Sequence, residues 1–597
     1  MYFDPNGAAL STAQGGLSRR NFLAGVAVAA TGAALAGLTG CVPAGGDSGG
    51  KGAAATPGNP EAASGAAMDA DSYFAKWSFE IPDDPISDDQ IAETVEAEIV
   101  VVGAGTGGLT LANAAAEEGA KVVLISASSK PISRGGSNHA VYSKYMEAAG
   151  IPRNDAMFFE KELQANGARV DTRKWYKYYN HSEAVMNWLI DIMEAAGYTT
   201  GIETPLPTFN NEEDSIYYVI GAHGWYNDEH PGMGMNQALV VNELARRFEE
   251  LSGTAIYYKN IGRQLVRGDA PNGTEGRVTA VIAEREDGTY AKYVGTKAVV
   301  LATGDFSTNR QMMAKYAPQA MAYITPEEFD APVDYDKELF YGGLYPGDGQ
   351  KMGLWCGAAW QKAWPACPNG GGVKAGPMDG VIPFTGCAVN RDGKRYCNEY
   401  GALGNMPFTT QMGCPGGVSY AIWDMNYAEQ YGLPWVNGSV PYGQDASMTP
   451  EEVVASWEPM VENGAFVKAD TLEELIEQLE LPASTLDEIA AYNADCEAGV
   501  DTQFHKNPKL MTPVAKAPFY GAKSDTSFFL TILGGLRTDD EMRVCDEDDN
   551  PIEGLYNVGS MIGDMFYAQY TYMIPGFTYG ANLTLSYLAG KFIVENE

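Results

Sequence analysis

The chain has 597 residues, 45% hydrophobic and 11% aromatic, which excludes an intrinsically disordered protein and is too long for one simple core. Its 77 acidic and 40 basic side chains give a formal net charge of −37, a surface that repels nucleic acid and anionic lipid. Eight cysteines occur with no C-x-x-C and no C-x-x-C-H, which excludes a zinc ribbon, a cluster ladder and a c-type haem carried by the chain itself.

Residues 1–41 read as a targeting segment. Ser18-Arg19-Arg20-Asn21-Phe22-Leu23 resembles the twin-arginine export signal. The Ala/Gly-rich run Ala24–Leu38 is too short and too weakly apolar for a stable membrane span. It ends in Leu38-Thr39-Gly40-Cys41, which resembles a lipobox, and the resemblance implies that Cys41 is lipidated as the first mature residue. The alternative is a plain small-residue cleavage site without lipid. Residues 42–94 form a linker and N-terminal extension. Its Ala/Gly/Ser/Pro-rich part, to about Asp71, is a flexible tether. The aromatic patch Tyr73, Phe74, Trp77 and Phe79 is expected to lie across the main body.

The segment Glu98–Gly119 organises the rest. Ile99–Val102 are four β-branched residues, enough for a buried strand. Gly103, Gly105 and Gly108 follow as G-x-G-x-x-G. A helical run, Leu109–Glu118, comes next, and Gly119 suits its C-terminal cap. This is the strand–turn–helix setting of a dinucleotide fingerprint. Gly103 permits the turn, Gly105 admits a diphosphate to the backbone, and Gly108 lets helix pack on strand. The diphosphate then meets free N–H groups and a positive dipole end.

Lys121–Ile125 reads as the second strand. Its end presents Ser126 where an acidic residue would hold a ribose, a weaker contact. Ser133-Arg134-Gly135-Gly136-Ser137-Asn138 forms a second glycine-rich loop. Helical spacing covers Phe158–Ala168, Thr172–Gly197 and Asn236–Ser252. Ala255–Val266 reads as one strand leading to a hairpin near Asn272-Gly273, followed by strands Arg277–Arg285 and Tyr290–Leu301. The last runs into Ala302-Thr303-Gly304-Asp305-Phe306. Tyr345–Gly353 opens another helix. From about Trp360 the pattern turns irregular, with helices near Thr471–Leu479 and Pro482–Ala498, and a final helix covers Asn582–Val594.

Taken in order, these motifs resemble the flavoprotein family of fumarate reductases, succinate dehydrogenases and 3-ketosteroid dehydrogenases. The resemblance rests on V-V-G-A-G-T-G-G, G-G-S-N, A-V-V-L-A-T-G-D-F, P-G-D-G-Q-K-M-G, V-N-R-D-G-K-R-Y-C-N-E, G-G-L, G-L-Y-N-V-G and A-N-L-T-L-S-Y-L-A-G-K, across about residues 95–597. It implies an α/β fold: a Rossmann-like FAD-binding domain, discontinuous in sequence (95–360 and 526–597), with an inserted α+β capping domain (361–525). It implies FAD, here non-covalent because no H-x-T-type attachment signal is evident. By motif position its contacts fall on Gly103, Gly105, Gly108, Ser126, Gly135, Gly136, Ser137, Gly262, Thr303, Gly304, Asp348, Gly559, Asn582 and Leu583. Asn582 and Leu583 are expected to open the last helix and aim its dipole at the flavin N1/C2=O edge.

The catalytic pattern departs from the dicarboxylate enzymes. Their substrate-binding histidine is Thr531 here, and their two arginines correspond to positions near Leu403 and Phe577. Burying a dianion without paired cations is costly, which disfavours fumarate. Aromatic residues crowd the end instead: Phe566, Tyr567, Tyr570, Tyr572, Phe577 and Tyr579. Tyr572-Met573-Ile574-Pro575-Gly576 resembles the ketosteroid dehydrogenase Y-P-G-P-G segment. That resemblance implies that the Tyr572 hydroxyl and the Gly576 N–H polarise a substrate carbonyl during hydride transfer to a conjugated C=C. Thr531, Tyr570, Phe577, Tyr579, His139 and Tyr142 are the pocket candidates. His223 is a further one, although for the histidines a structural role is the simpler reading. Arg391, Lys394 and Arg395 read as structural.

The expected protein is thus an extracytoplasmic, lipid-anchored FAD reductase of a small unsaturated molecule. It is expected on the outer face of the cytoplasmic membrane, fed by a membrane-associated electron donor. A ketosteroid-type dehydrogenase working oxidatively and a non-catalytic flavin-binding lipoprotein are the alternatives.

Overall fold

The computed structural model describes residues 76–203, 219–231, 233, 236–251, 253–338, 342–371, 384–399, 406–429, 435–436, 440–445, 447–524, 527–568, 570 and 574–597. The signal, Cys41, the tether, Leu403 and Tyr572 lie outside these residues.

The first domain is built on a nine-stranded sheet. Strand β1 (Ile91–Val102) lies at its centre, with β2 (Val122–Ser126) and then β6 (Thr254–Tyr258) on one side, all parallel. On the other side stands β9 (Tyr290–Leu301), parallel to β1, followed by β14 (Pro551–Asn557), parallel to β9. Burial on both faces explains the unbroken apolar runs of these strands. Alternate side chains serve two cores, as a pleat with period two requires. Ile99, Val101, Val122, Leu124, Ala298 and Val300 face the core shared with the first and last helices. Val100, Val102, Val123, Ile125, Val299 and Leu301 face the other, shared with Met352 and Trp355.

Helix α1 (Thr106–Glu117) starts three residues before the expected Leu109, so Gly107 and Gly108 are helical. Gly119 ends it as anticipated: the Gly119 and Ala120 N–H groups donate to the carbonyls of Ala116 and Ala115 at 3.0 and 3.2 Å. Small residues let α1 approach the last helix, α8 (Phe577–Asn596), closely. A Cβ on Gly590 would lie 2.7 Å from the Leu111 carbonyl oxygen. Between these come α2 (Ala156–Ala165), α3 (Thr172–Ala195) and α4 (Gln237–Glu250), each within a few residues of expectation.

The stretch Ala255–Val266 is two strands, not one. Lys259 turns left-handed (φ 58°), separating β6 from β7 (Asn260–Arg267), which runs antiparallel to β8 (Val278–Arg285). Uniform β-forming composition hid the break. The hairpin turn also falls earlier, since Arg267 pairs with Ala270. A small antiparallel sheet of β3 (Asn138–His139), β5 (Ala222–Tyr226) and β4 (Thr199–Ile202) underlies the second glycine loop.

The inserted segment has its own antiparallel sheet. It consists of β10 (Cys387–Asn390), β11 (Ser419–Asp424), β13 (Phe519–Ser524) and β12 (Val467–Ala469), in that spatial order. Helices α6 (Leu472–Gln478) and α7 (Thr485–Ala498) cover it through Leu475, Ile476, Ile489 and Tyr492. Where the chain passes between the two parts, 369–371 pair antiparallel with 527–529.

Tyr73 and Phe74 lie outside the described residues; from residue 76 the extension lies across the body. Phe79 is buried among Phe306, Met312 and Met313, and its carbonyl accepts the Trp355 indole N–H at 2.8 Å.

Candidate functional site

Register brings the glycine motifs to one edge. Val102 pairs with Ile125 and Leu301, and Leu301 pairs with Asn557, so the next residues of all four strands emerge at one level. Gly103, Ser126, Thr303, Gly304 and Gly559 therefore stand together at the carboxyl ends of parallel strands, where ligands of open α/β sheets bind. The close approaches are backbone to backbone. A Cβ on Gly103 (φ +121°) would lie 2.3 Å from the Ala302 carbonyl oxygen, and one on Gly108 would lie 2.0 Å from the Gly103 oxygen. Gly107, which the motif does not single out, has Gly559 Cα only 2.8 Å from where its Cβ would be. Gly105 is the exception: a Cβ there would meet only the Ile132 oxygen, at 3.6 Å. Gly105 caps α1 with no side-chain hydrogen bond to the first turn. That open face and the uncapped helix start suit a diphosphate.

Ser126 ends β2 as expected, but its hydroxyl is 2.8 Å from that of Ser128. An acidic group does reach this end of β2, from Asp336, which accepts from the Ser129 N–H and hydroxyl at 2.6 and 2.9 Å. It comes from a distant loop, so no local signal announced it. Asp348 opens α5 (Asp348–Trp355) and accepts the Tyr335 hydroxyl at 2.6 Å. Thr303 Oγ1 accepts the Gly349 N–H at 3.0 Å, holding α5 to the end of β9. Gly262 serves packing, because its Cβ would lie 3.1 Å from both Met352 and Val102.

The second glycine loop is tied to the first. Thr106 and Ser133 hydroxyls are 3.0 Å apart, and the Gly135 carbonyl accepts the Gln237 N–H at 2.9 Å. Gly136 follows, half-buried, and Ser137 adopts a left-handed conformation (φ 64°). The last helix meets this loop. Tyr579 donates its hydroxyl to the Arg134 carbonyl, and a Cβ on Gly135 would lie 3.6 Å from the Tyr579 ring. Gly576, itself left-handed (φ +74°), is the N-cap of α8, and a Cβ there would lie 2.7 Å from the Ser137 carbonyl. No described residue accepts the Gly576 N–H.

This corrects the reading of the last helix. It begins at Phe577, so Asn582 and Leu583 lie in its second turn, and Leu583 is buried in the core. Gly576–Tyr579 occupy the dipole end instead. The helix starts early because Phe577 is anchored between Trp175 and Tyr178, with ring centroids at 4.7 and 4.9 Å. Phe577 is thus a core residue rather than a pocket wall. His139 is also core: fully buried, its Nδ1 is 2.5 Å from the Tyr178 hydroxyl, and burial lowers its pKa to about 3. His223 is held similarly, with Nε2 2.8 Å from the Ser143 hydroxyl. Tyr570 is mostly buried, and its hydroxyl accepts the Thr578 N–H of the first turn of α8 at 3.4 Å. Tyr142 packs against the small core of Met146, Ile151 and Ile202.

Thr531, expected by motif at the position of a substrate-binding histidine, enters a network that sequence motifs did not reveal. Its hydroxyl donates to Asp305 at 2.8 Å; the fully buried Asp305 also accepts from Arg134 Nη2 at 3.0 Å and from the Ile532 N–H at 3.2 Å. Both partners were visible in quoted motifs, but only folding joins residues 171 positions apart.

The glycine cradle, the uncapped start of α1 and the convergent strand ends fit a dinucleotide cofactor. The comparisons agree. The chain belongs to the FAD binding domain family, which matches residues 98–570. It is similar to a vinyl phenol reductase from Lactiplantibacillus plantarum, 25% identical over 81% of this chain and 92% of that protein. It is also similar to an NADH:acrylate oxidoreductase from Vibrio harveyi, 27% identical over 79% of this chain but only 48% of that longer protein. Among solved structures it resembles a 3-ketosteroid-Δ4-(5α)-dehydrogenase from Rhodococcus jostii (TM-score 0.63, 21% identity), covering 85% of this chain and 99% of that one, a likeness of fold. The protein is a FAD-dependent oxidoreductase with the Rossmann-like fold of its family.

Proposed function

We propose that the protein reduces a C=C bond conjugated to a carbonyl in a small organic molecule that is not a dicarboxylate. The observation carrying this reading is the neutral donor set beside the second glycine loop. Gly576, whose N–H is unclaimed by any described residue, packs against the Ser137 backbone carbonyl, and the Arg134 guanidinium of the same loop is neutralised by Asp305. A dianion there would be desolvated without a free counter-charge among the described residues. Bound FAD supplies the hydride chemistry, held by Gly103, Gly105, Gly108, Gly135, Gly136, Thr303, Gly304 and Gly559. The chain's own part is to stabilise charge on the substrate carbonyl oxygen, through the Gly576 N–H and, by motif, the Tyr572 hydroxyl. The relatives named for vinyl phenol and acrylate support an unsaturated, non-dicarboxylate substrate.

The test is reoxidation of the anaerobically reduced holoenzyme by fumarate, urocanate, cinnamates and enone steroids, each alone. An enone or aryl acrylate is expected to reoxidise it rapidly; reoxidation by fumarate would overturn the reading. Tyr572→Phe is expected to lower turnover by about 10²-fold or more with FAD retained, the cost of one oxyanion donor. Unchanged turnover would remove Tyr572 from the site.

The leader motif and lipobox support export by the twin-arginine route and anchorage through Cys41 on the outer face of the cytoplasmic membrane. A membrane-associated carrier then delivers the electrons, as in anaerobic respiration. Cys41→Ala is expected to move the protein from the membrane fraction to the soluble fraction; continued sedimentation with membranes would refute the anchor.

A further inference from the structure

Glu203 follows β4 at the seam between the two parts of the molecule. Its N–H donates to the Ala222 carbonyl at 2.9 Å, it forms a backbone bridge with Pro441 of the inserted segment, and the Tyr442 N–H donates to the Ile202 carbonyl at 2.8 Å. Its carboxylate accepts the hydroxyl of Ser137, the left-handed residue lying against Gly576. Ser137 thus joins the two: its side chain holds the Glu203 carboxyl, and its backbone carbonyl packs against Gly576, whose N–H is assigned to the substrate carbonyl. No lysine, arginine or histidine among the described residues forms an ion pair with it.

A carboxyl whose role was only to brace Ser137 would be a poor choice here, since glutamine makes the same hydrogen bond without a charge to desolvate. The use of a titratable group needs a reason, and reduction of C=C needs a proton. Resting on the function proposed above, we propose that Glu203 supplies, through the Ser137 hydroxyl, the proton that completes reduction of the substrate double bond. The balance is simple. The substrate takes a hydride from the reduced flavin at one carbon and the Ser137 hydroxyl proton at the other. Ser137 regains a proton from the Glu203 carboxyl, and the carboxylate is reprotonated by water from the seam at residues 440–445.

The charge state suits the role. Burial pushes the Glu203 carboxyl up to about 7, with the Ser137 hydrogen bond pulling the other way. Among the described residues, the titratable groups on the elements beside it are His139 of β3, His223 and Tyr226 of β5, and Tyr442 and Asp445 of the inserted segment. Burial holds the two histidines to about 3 and about 4, so both are neutral where Glu203 titrates. A carboxyl poised near neutrality can both give and regain a proton.

The test uses the purified holoenzyme, wild type, Glu203→Gln and Glu203→Asp. Infrared difference spectroscopy across neutral pH is expected to show a protonated-carboxyl band that titrates near 7 in wild type and is missing in Glu203→Gln. In steady state, wild-type kcat is expected to fall as pH rises through that value. Glu203→Gln should lose that limb and on the order of 10²-fold in kcat, with FAD content unchanged, and Glu203→Asp should restore part of both. An alkaline limb unaltered in Glu203→Gln, or no band titrating near 7, would overturn the relay. Wild-type enzyme that reduces none of the unsaturated compounds would overturn the functional reading and the relay with it. The infrared titration would still report separately whether Glu203 holds the proton.

Discussion

Gly105→Ala is expected to strip the enzyme of FAD while leaving the apo-protein nearly as stable as wild type. The added methyl meets only the Ile132 oxygen at 3.6 Å, and the backbone (φ −94°, ψ −175°) is one that alanine adopts freely. The folding cost is that of a poorer N-cap, within about 1 kcal/mol. The methyl instead occupies the space through which a diphosphate reaches the first-turn N–H groups, and losing that approach should weaken FAD binding at least tenfold for each ~1.4 kcal/mol forfeited. Gly108→Ala makes the contrast. Its Cβ would lie 2.0 Å from the Gly103 oxygen and 3.1 Å from Ala302 Cβ, so α1 must lift from the strand. Overpacking of this kind costs about 1–3 kcal/mol, and this variant should lose both flavin and stability. Flavin absorbance per mole of purified protein, with urea titrations of the apo forms, checks both. Stoichiometric flavin in Gly105→Ala would mean that the diphosphate does not sit on this turn.

The second large effect is expected in the inserted domain. Arg395 donates two hydrogen bonds to Glu399, at 3.0 and 2.9 Å, and two to Asp501, at 2.9 and 3.0 Å. Lys506 Nζ adds 3.1 Å to Glu399 and 3.0 Å to the Tyr492 hydroxyl. These four side chains are at most 1% exposed and their charges cancel. Arg395→Met leaves two buried carboxylates facing one cation, so it should cost on the order of 3–5 kcal/mol. Burial alone would raise the Asp501 carboxyl. The Arg395 hydrogen bond and the N–H groups of Lys506 and Phe504 outweigh it, holding Asp501 well below the usual carboxylate range. Because the folded-state value is depressed, this stabilisation is present above the ordinary carboxylate pKa and is lost as pH falls through and below it. Urea midpoints against pH should therefore fall on the acid side in wild type, and begin to fall at higher pH in Arg395→Met. The exposed Arg391→Met is the control and should leave the profile unchanged. An Arg395→Met midpoint equal to wild type would show that the cluster is not a folding element.

The contrast between Gly105 and Gly108 also shows where sequence reasoning reached and where it stopped. Both glycines were assigned from spacing alone, and the strand, the turn and the Gly119 cap came with them, because local backbone requirements are written locally. The helix at the other end was misjudged for a tertiary reason. Nothing in Phe577-Thr578-Tyr579 marks a helix start; the start is set by Trp175 and Tyr178, some four hundred residues earlier, gripping Phe577. Ala255–Val266 failed in the same way, since two strands with different partners share one β-forming composition.

The sequence by itself determined the FAD-binding sheet, the strand–turn–helix around Gly103–Gly108 and the separate sheet of the inserted segment, all of which depend on short-range pattern and chain order. Only the tertiary structure decided what the remaining polar side chains do. Arg134 is spent on Asp305, Phe577 and His139 belong to the core, and Glu203 rests against Ser137. The physical reason is that a hydrogen bond or a desolvated charge depends on which groups meet across hundreds of residues, and no local spacing encodes that meeting.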